Sequence, residues 1–75
     1  ALAAMGEAQF KLKNYEESID YYLKSLKELK ANIGENKSYA ITCENLSLVY
    51  KEDGNIEESE RYLKLAKSVV EKLTK

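Results

Sequence analysis

The pentapeptide Asn14-Tyr15-Glu16-Glu17-Ser18 recurs as Asn55-Ile56-Glu57-Glu58-Ser59, a spacing of 41 residues in a chain of 75. An echo at that period points to two copies of one supersecondary unit. Such units stack on their neighbours and share a continuous apolar core. The register extends beyond the matched segment. Met5 aligns with Leu46, Gly6 with Ser47, Ala8 with Val49, Tyr21 with Tyr62, Ser25 with Ala66 and Leu29 with Val70. Size class persists where identity does not.

The repeated unit is helical. Ile19, Tyr22, Leu23, Leu26 and Leu29 recur with a helical period, as do Tyr62, Leu63, Ala66, Val70 and Leu73, and no stretch alternates for strand length. There is no proline and there are only three glycines, so the chain reads as all-α. Asn14 and Asn55 stand as N-caps, with Glu17 and Glu58 placed to complete capping boxes. The acidic first turns also suit the positive end of each helix dipole. Gly54 and Gly34 stand where left-handed residues end helices, and Asn36 is the next N-cap. These signals predict helices over 1–13, 15–31, 36–53 and 55–74. Two of the three links are so short that they force antiparallel neighbours. The third helix carries Tyr39, Ala40, Ile41, Cys43, Leu46, Leu48, Val49 and Tyr50, apolar on most sides, as a helix between two neighbours should be. The fourth shows Leu65 and Val69 as a second apolar edge beyond its inward stripe.

Composition removes whole classes of function. A chain this short buries only about 60% of its extended surface, which leaves no room for a deep pocket or a second domain. With 12 basic and 13 acidic side chains intermixed, no basic face is available for counterion-release binding of nucleic acid. No apolar run approaches a membrane span. The start ALAAMGEAQF is no signal peptide and reads as the inside of a helix, so the chain is expected to be a fragment of a longer array. The single Cys43 fits a reducing, cytoplasmic compartment and reads as a small buried hydrophobe. The absence of histidine removes His-dependent triads and His-ligated metal sites. Asp53-Gly54-Asn55-Ile56-Glu57 hints at a calcium loop, but Glu58 occupies the position that needs glycine. No catalytic constellation and no cofactor site can be assembled.

Met5-Gly6, Gln9-Phe10, Asn14 to Ile19, Tyr22 and Ser25 resemble the tetratricopeptide repeat. The second copy carries the pattern through Leu46-Ser47, Tyr50, Gly54-Asn55, Ser59, Leu63 and Ala66. Lys13 stands where the turn usually has glycine, Gln9 where an aromatic is usual, and the closing proline is replaced by the link 31–36. The longer period of about 41–42 residues matches a subtype that relaxes these positions. The resemblance implies a right-handed α-solenoid segment of two antiparallel helix-turn-helix hairpins. Residues 1–75 would be one domain, with repeat one over 1–34 and repeat two over 36–75.

The resemblance also implies a non-catalytic module that binds an extended peptide or protein along the face made by the first helix of each repeat. By position that face is Ala3, Ala4, Glu7, Phe10 and Lys11, then Ile41, Glu44, Asn45, Leu48, Lys51 and Glu52. Asn45 stands out, because an amide offers a donor and an acceptor to a peptide backbone, and Leu48 would floor an apolar side chain. The carboxylate clamp of chaperone-binding relatives is not reproduced, since Ala3, Ala4 and Glu7 stand where basic or amide groups would be wanted. Two other readings compete. One is architectural, with Leu65 and Val69 pairing terminal helices into a homodimer. The other, by analogy of fold, is the ligand-sensing part of a bacterial peptide-pheromone regulator.

Overall fold

The computed structural model describes residues 2–74. It contains α1 (Leu2–Lys11), α2 (Tyr15–Asn32), α3 (Lys37–Glu52) and α4 (Ile56–Thr74), with no strand among the described residues. The predicted boundaries agree with these to within two residues; Ala1, predicted to open the first helix, lies outside the described residues. Each helix packs on its neighbours in the chain, so hairpin α1–α2 stacks on hairpin α3–α4 through α2 and α3. The result is a slab of 37 × 25 × 15 Å. Its accessible surface of 5,124 Å² exceeds the roughly 4,700 Å² expected of a compact monomer of this mass, as an open stack should.

The two hairpin turns are the same turn. In the first, the Lys13 N–H donates to the Phe10 carbonyl and the Asn14 N–H to the Gln9 carbonyl, both at 2.9 Å. In the second, Gly54 donates to Lys51 at 3.1 Å and Asn55 to Tyr50 at 2.8 Å. This paired pattern around a left-handed residue satisfies the orphan carbonyls of the ending helix. The left-handed residue is Gly54 (φ +90°) in one turn and Lys13 (φ +64°) in the other. Lysine therefore carries a conformation that costs an L-residue about 1–2 kcal/mol.

This geometry also corrects the predicted capping boxes. The N–H groups of Asn14 and Asn55 are already committed to the helices that end before them, so Glu17 and Glu58 have no cap N–H to accept from. Asn14 makes no side-chain cap bond; its Nδ2 donates instead to Gln9 Oε1 at 2.9 Å. Asn55 retains a long 3.4 Å bond from the Glu58 N–H. Asn36 follows a longer link and caps as predicted, accepting from the Tyr39 N–H at 3.0 Å.

Small residues set the distance between paired helices. The Ser18 hydroxyl donates to the Gly6 carbonyl across α1–α2 at 2.7 Å. The Ser47 hydroxyl donates to the Ser59 carbonyl across α3–α4, also at 2.7 Å. With the Ser47 proton so used, Ser59 Oγ donates to Ser47 Oγ at 3.1 Å. Both pairs occupy the same two positions of the 41-residue register, with the donor on opposite helices. Beside the first pair, a Cβ added at Gly6 would lie 3.1 Å from the Tyr22 ring, so glycine lets the ring rest flat on α1.

The Ser47–Ser59 contact fixes the roll of α4 and overturns the predicted outward edge. Val69 is fully buried and Leu65 is half-buried against the core, because they share the Tyr62 and Ala66 side of the helix that meets α3. The exposed apolar residues of α4 are Ile56, Leu63, Val70 and Leu73, the last three of them members of the predicted inward stripe. The core comprises Tyr22, Leu26, Tyr39, Ala40, Cys43, Leu46, Val49, Ala66 and Val69. Among the described residues, no helix is long and apolar enough to cross a membrane.

Replacing Lys13 with Gly should stabilise the chain by about 0.5–1 kcal/mol, the left-handed penalty less the entropy that glycine adds to the unfolded state. Gly54→Lys should shift stability the other way by a similar amount. Thermal melts read both, at about 4–8 °C per kcal/mol for a chain of this size.

Candidate functional site

α1 and α3 are the first helices of their hairpins and lie on the same side of α2. Between them runs a cleft of about 260 Å³ lined by Glu7, Phe10 and Lys11 of α1, Tyr22 of α2, and Asn45 and Leu48 of α3. The repeat explains this meeting of residues so distant in sequence. Each hairpin presents its first helix in the same orientation, so one exposed stripe on α1 faces an equivalent stripe on α3.

The floor of the cleft is aromatic and the walls are polar. Tyr22 is 2% exposed and Phe10 half-buried, its ring tilted at 47° to Tyr15 with centroids 5.9 Å apart. Leu48 is 48% exposed and stands beside the Asn45 amide. On α1, Lys11 Nζ lies 3.5 Å from Glu7 Oε1, with both side chains largely in solvent. A pair this exposed contributes little to stability and can exchange partners at small cost. Burial raises the Tyr22 hydroxyl above its ordinary range, and the nearby Glu7 carboxylate adds to the rise. The tyrosine therefore stays neutral at the cleft floor.

Of the predicted binding residues, Glu7, Lys11, Asn45 and Leu48 line this one cleft. Ile41, Glu44 and Lys51 are exposed on α3 but lie outside its lining, extending the Asn45–Leu48 stripe towards the helix ends. Ala3 lines a separate hollow of about 270 Å³ with Ser25, Leu29, Ser38 and Thr42. Tyr22 was legible in the sequence only as a core residue. The clue to its second role is Gly6: with no side chain on α1 at that point, a large ring from α2 reaches the α1–α3 side.

On another side, α2 and α4 enclose a larger hollow of about 810 Å³. Leu23, Leu26, Tyr39, Tyr62 and Leu65 form its base, and Lys27, Lys30, Arg61 and Lys64 alternate with Glu57 and Glu60 around it. Its charges are mixed, with basic side chains in excess.

The described residues contain no group of three or more His, Cys, Asp or Glu side chains able to hold a metal ion. Cys43 is fully buried, and burial, with smaller contributions from Glu35 and Glu44, pushes its thiol up from 9.0 to about 11. The thiolate required of a nucleophile is thereby suppressed.

Two stacked antiparallel helical hairpins with a polar-walled cleft between their first helices define a segment of an α-solenoid of the protein-interaction class. The model of the tetratricopeptide repeat family matches residues 1–72, and the chain belongs to that family. Repeats of this kind serve in general as non-catalytic modules for contact between proteins. Searches of curated proteins and of solved structures returned no match.

The thiol of Cys43 should resist a neutral-pH disulfide reagent in the folded chain and react in denaturant, by thiol titration. Stability should fall as pH rises from about 9 towards 11, because the unfolded thiol releases its proton first and the unfolded state then binds fewer protons. The tyrosines raised by burial, Tyr22, Tyr39, Tyr50 and Tyr62, extend the same loss to higher pH. Urea titrations across this range, with Cys43→Ala as comparison, read the effect.

Proposed function

We propose that the chain binds an extended segment of a partner protein in the α1–α3 cleft. The observation that supports this most is the convergence of Asn45 and Leu48 with Glu7 and Lys11 around an aromatic floor. An extended peptide repeats one amide every residue, and the Asn45 side chain can donate to and accept from one such unit. A neighbouring apolar side chain of the peptide would rest on Leu48, Phe10 and Tyr22. The volume of about 260 Å³ suits one or two side chains rather than a folded ligand. Glu7 and Lys11 would then re-pair with charged groups of the peptide, adding selectivity more than affinity.

Ile41 and Lys51 extend the contact along α3, and Glu44 sets a local preference for basic residues. A compartment with reduced thiols suits the free, buried Cys43, in keeping with a cytoplasmic location. Residues 1–75 function on this reading as one interaction domain.

Selection from a random peptide library on the immobilised chain should enrich a short motif with an apolar residue. Asn45→Ala should weaken the selected peptide about fivefold, the effect of losing one hydrogen bond of about 1 kcal/mol. Leu48→Glu should weaken it further, while helicity by circular dichroism stays unchanged. Lys27→Glu and Arg61→Glu, on the α2–α4 hollow, should leave affinity unchanged. Affinity lost through that second pair and retained with Asn45→Ala would move the site to the other side of the slab.

A further inference from the structure

The hollow between α2 and α4 is a furrow inside the stack. Each of these helices packs on α3 and scarcely touches the other, and Tyr39 of α3 closes the gap from below. Leu26 and Tyr39 are buried at the bottom, whereas Leu23 is 36% exposed and Tyr62 and Leu65 are half covered. Leu23 belongs neither to the core nor to the residues packed on it. At about 810 Å³ the furrow has about three times the volume of the α1–α3 cleft. It lies between the second helices of two hairpins that are already stacked. A further hairpin stacked in the same way would extend an end of the slab and leave this side open.

Charge is divided unevenly around it. The whole chain has 12 basic and 13 acidic side chains, yet four basic ones, Lys27, Lys30, Arg61 and Lys64, face only Glu57 and Glu60 here. Lys27 and Lys30 on α2, like Arg61 and Lys64 on α4, are spaced i,i+3 and so share one side of their helix. Both rims are therefore basic, and the two acids are confined to the first turns of α4. Little of this positive charge is neutralised by the fold. Among the described residues Lys27 and Lys64 have no ion-pair partner. Lys30 lies 4.0 Å from Glu35, which is nearer to Lys72 at 3.2 Å. Arg61 lies 3.7 Å from Glu58.

We infer that this furrow docks an acidic amphipathic helix of a partner protein. Among the described residues no asparagine, glutamine, serine or threonine lines it, so it has no counterpart of Asn45 to grip the backbone of an extended segment. A helix bonds its own backbone groups and needs no such grip. Its apolar residues at i, i+3, i+4 and i+7 would settle between α2 and α4 on Leu23, Tyr62 and Leu65. Carboxylates on both flanks of that stripe would meet the two basic rims, which complement them in sign. The aliphatic base and the two glutamates disfavour the phosphates of a nucleic acid. The site is separate from the α1–α3 cleft, and neither reading depends on the other.

The test is fluorescence anisotropy with a labelled peptide of about 18 residues, about 27 Å long as a helix and so matched to α2 with its 18 residues. One peptide carries leucines at i, i+3, i+4 and i+7 flanked by glutamates; its twin carries lysines in place of the glutamates. The acidic peptide should bind at least tenfold more tightly than its twin, and less tightly as salt rises. Lys27→Glu with Lys64→Glu, both at exposed positions, should weaken the acidic peptide at least tenfold and reverse the preference. Leu23→Gln should weaken it several-fold. Asn45→Ala should leave it unchanged, which separates this result from the test of the α1–α3 cleft. Absence of binding at millimolar concentration, equal binding of the two peptides, or indifference to the reversed lysines would overturn the proposal. So would binding lost through Leu48→Glu alone, which would place the helix in the other cleft, or an oligouridylate bound in preference to the acidic peptide.

Discussion

The distance between the helices of each hairpin is set at one crossing, where a serine hydroxyl on one helix bonds a carbonyl of the other at 2.7 Å. A backbone group can be reached by so short a side chain only if nothing larger stands between the helices. Gly6, Ser18, Ser47 and Ser59 are therefore fixed by geometry. Because the hydroxyls are buried and bonded, they add direction to a contact that apolar packing alone would leave free to slide. No buried side-chain nitrogen or oxygen among the described residues lacks a partner. The roll of each helix follows from that contact, and the exposed faces follow from the roll.

The cleft between α1 and α3 is a consequence two steps removed. α2 holds α1 through the Ser18–Gly6 bond and holds α3 through its Leu26 side, so the span between the two first helices is set by α2. Tyr22 sits at the junction, lying flat on Gly6 and reaching the cleft floor. The polar walls are free of structural duty. Asn45 and Leu48 project from the side of α3 that neither α2 nor α4 covers, and the Glu7–Lys11 pair spans one turn of α1 in solvent. Residues that a fold does not require are those it can lend to a partner.

Much of this was legible in the sequence, for a reason that can be stated locally. Helical periodicity and the 41-residue echo report burial averaged over a whole unit, so the four helices, their order and the two hairpins could be read directly. The face of α1 and α3 was readable by position, and Glu7, Lys11, Asn45 and Leu48 meet in one cleft. The roll of α4 was not. Apolar residues occupy more than half of its circumference, and Leu63, Leu65, Val69 and Val70 satisfy two overlapping stripes; only the Ser47–Ser59 contact chooses between them. The capping boxes misled for a related reason. Asn14 and Asn55 each belong to two helices at once, and a cap assigned from the helix that follows ignores the bond already given to the helix before.

The crossings also carry information about which hairpin partner is correct. Two repeats in one chain offer each first helix two second helices of similar pattern, and the serine bonds alone would accept either. Gly6 could receive the Ser59 hydroxyl as readily as that of Ser18. The neighbouring position decides. The Tyr22 ring lies on bare backbone at Gly6, where even a Cβ would come within 3.1 Å. Against Ser47 the same ring would meet a side chain. Leu63, which replaces Tyr22 in the second repeat, would leave a gap over Gly6. The Tyr22 ring is thus matched to the bare backbone of its own first helix, and exchanging α2 for α4 against α1 would forfeit that fit.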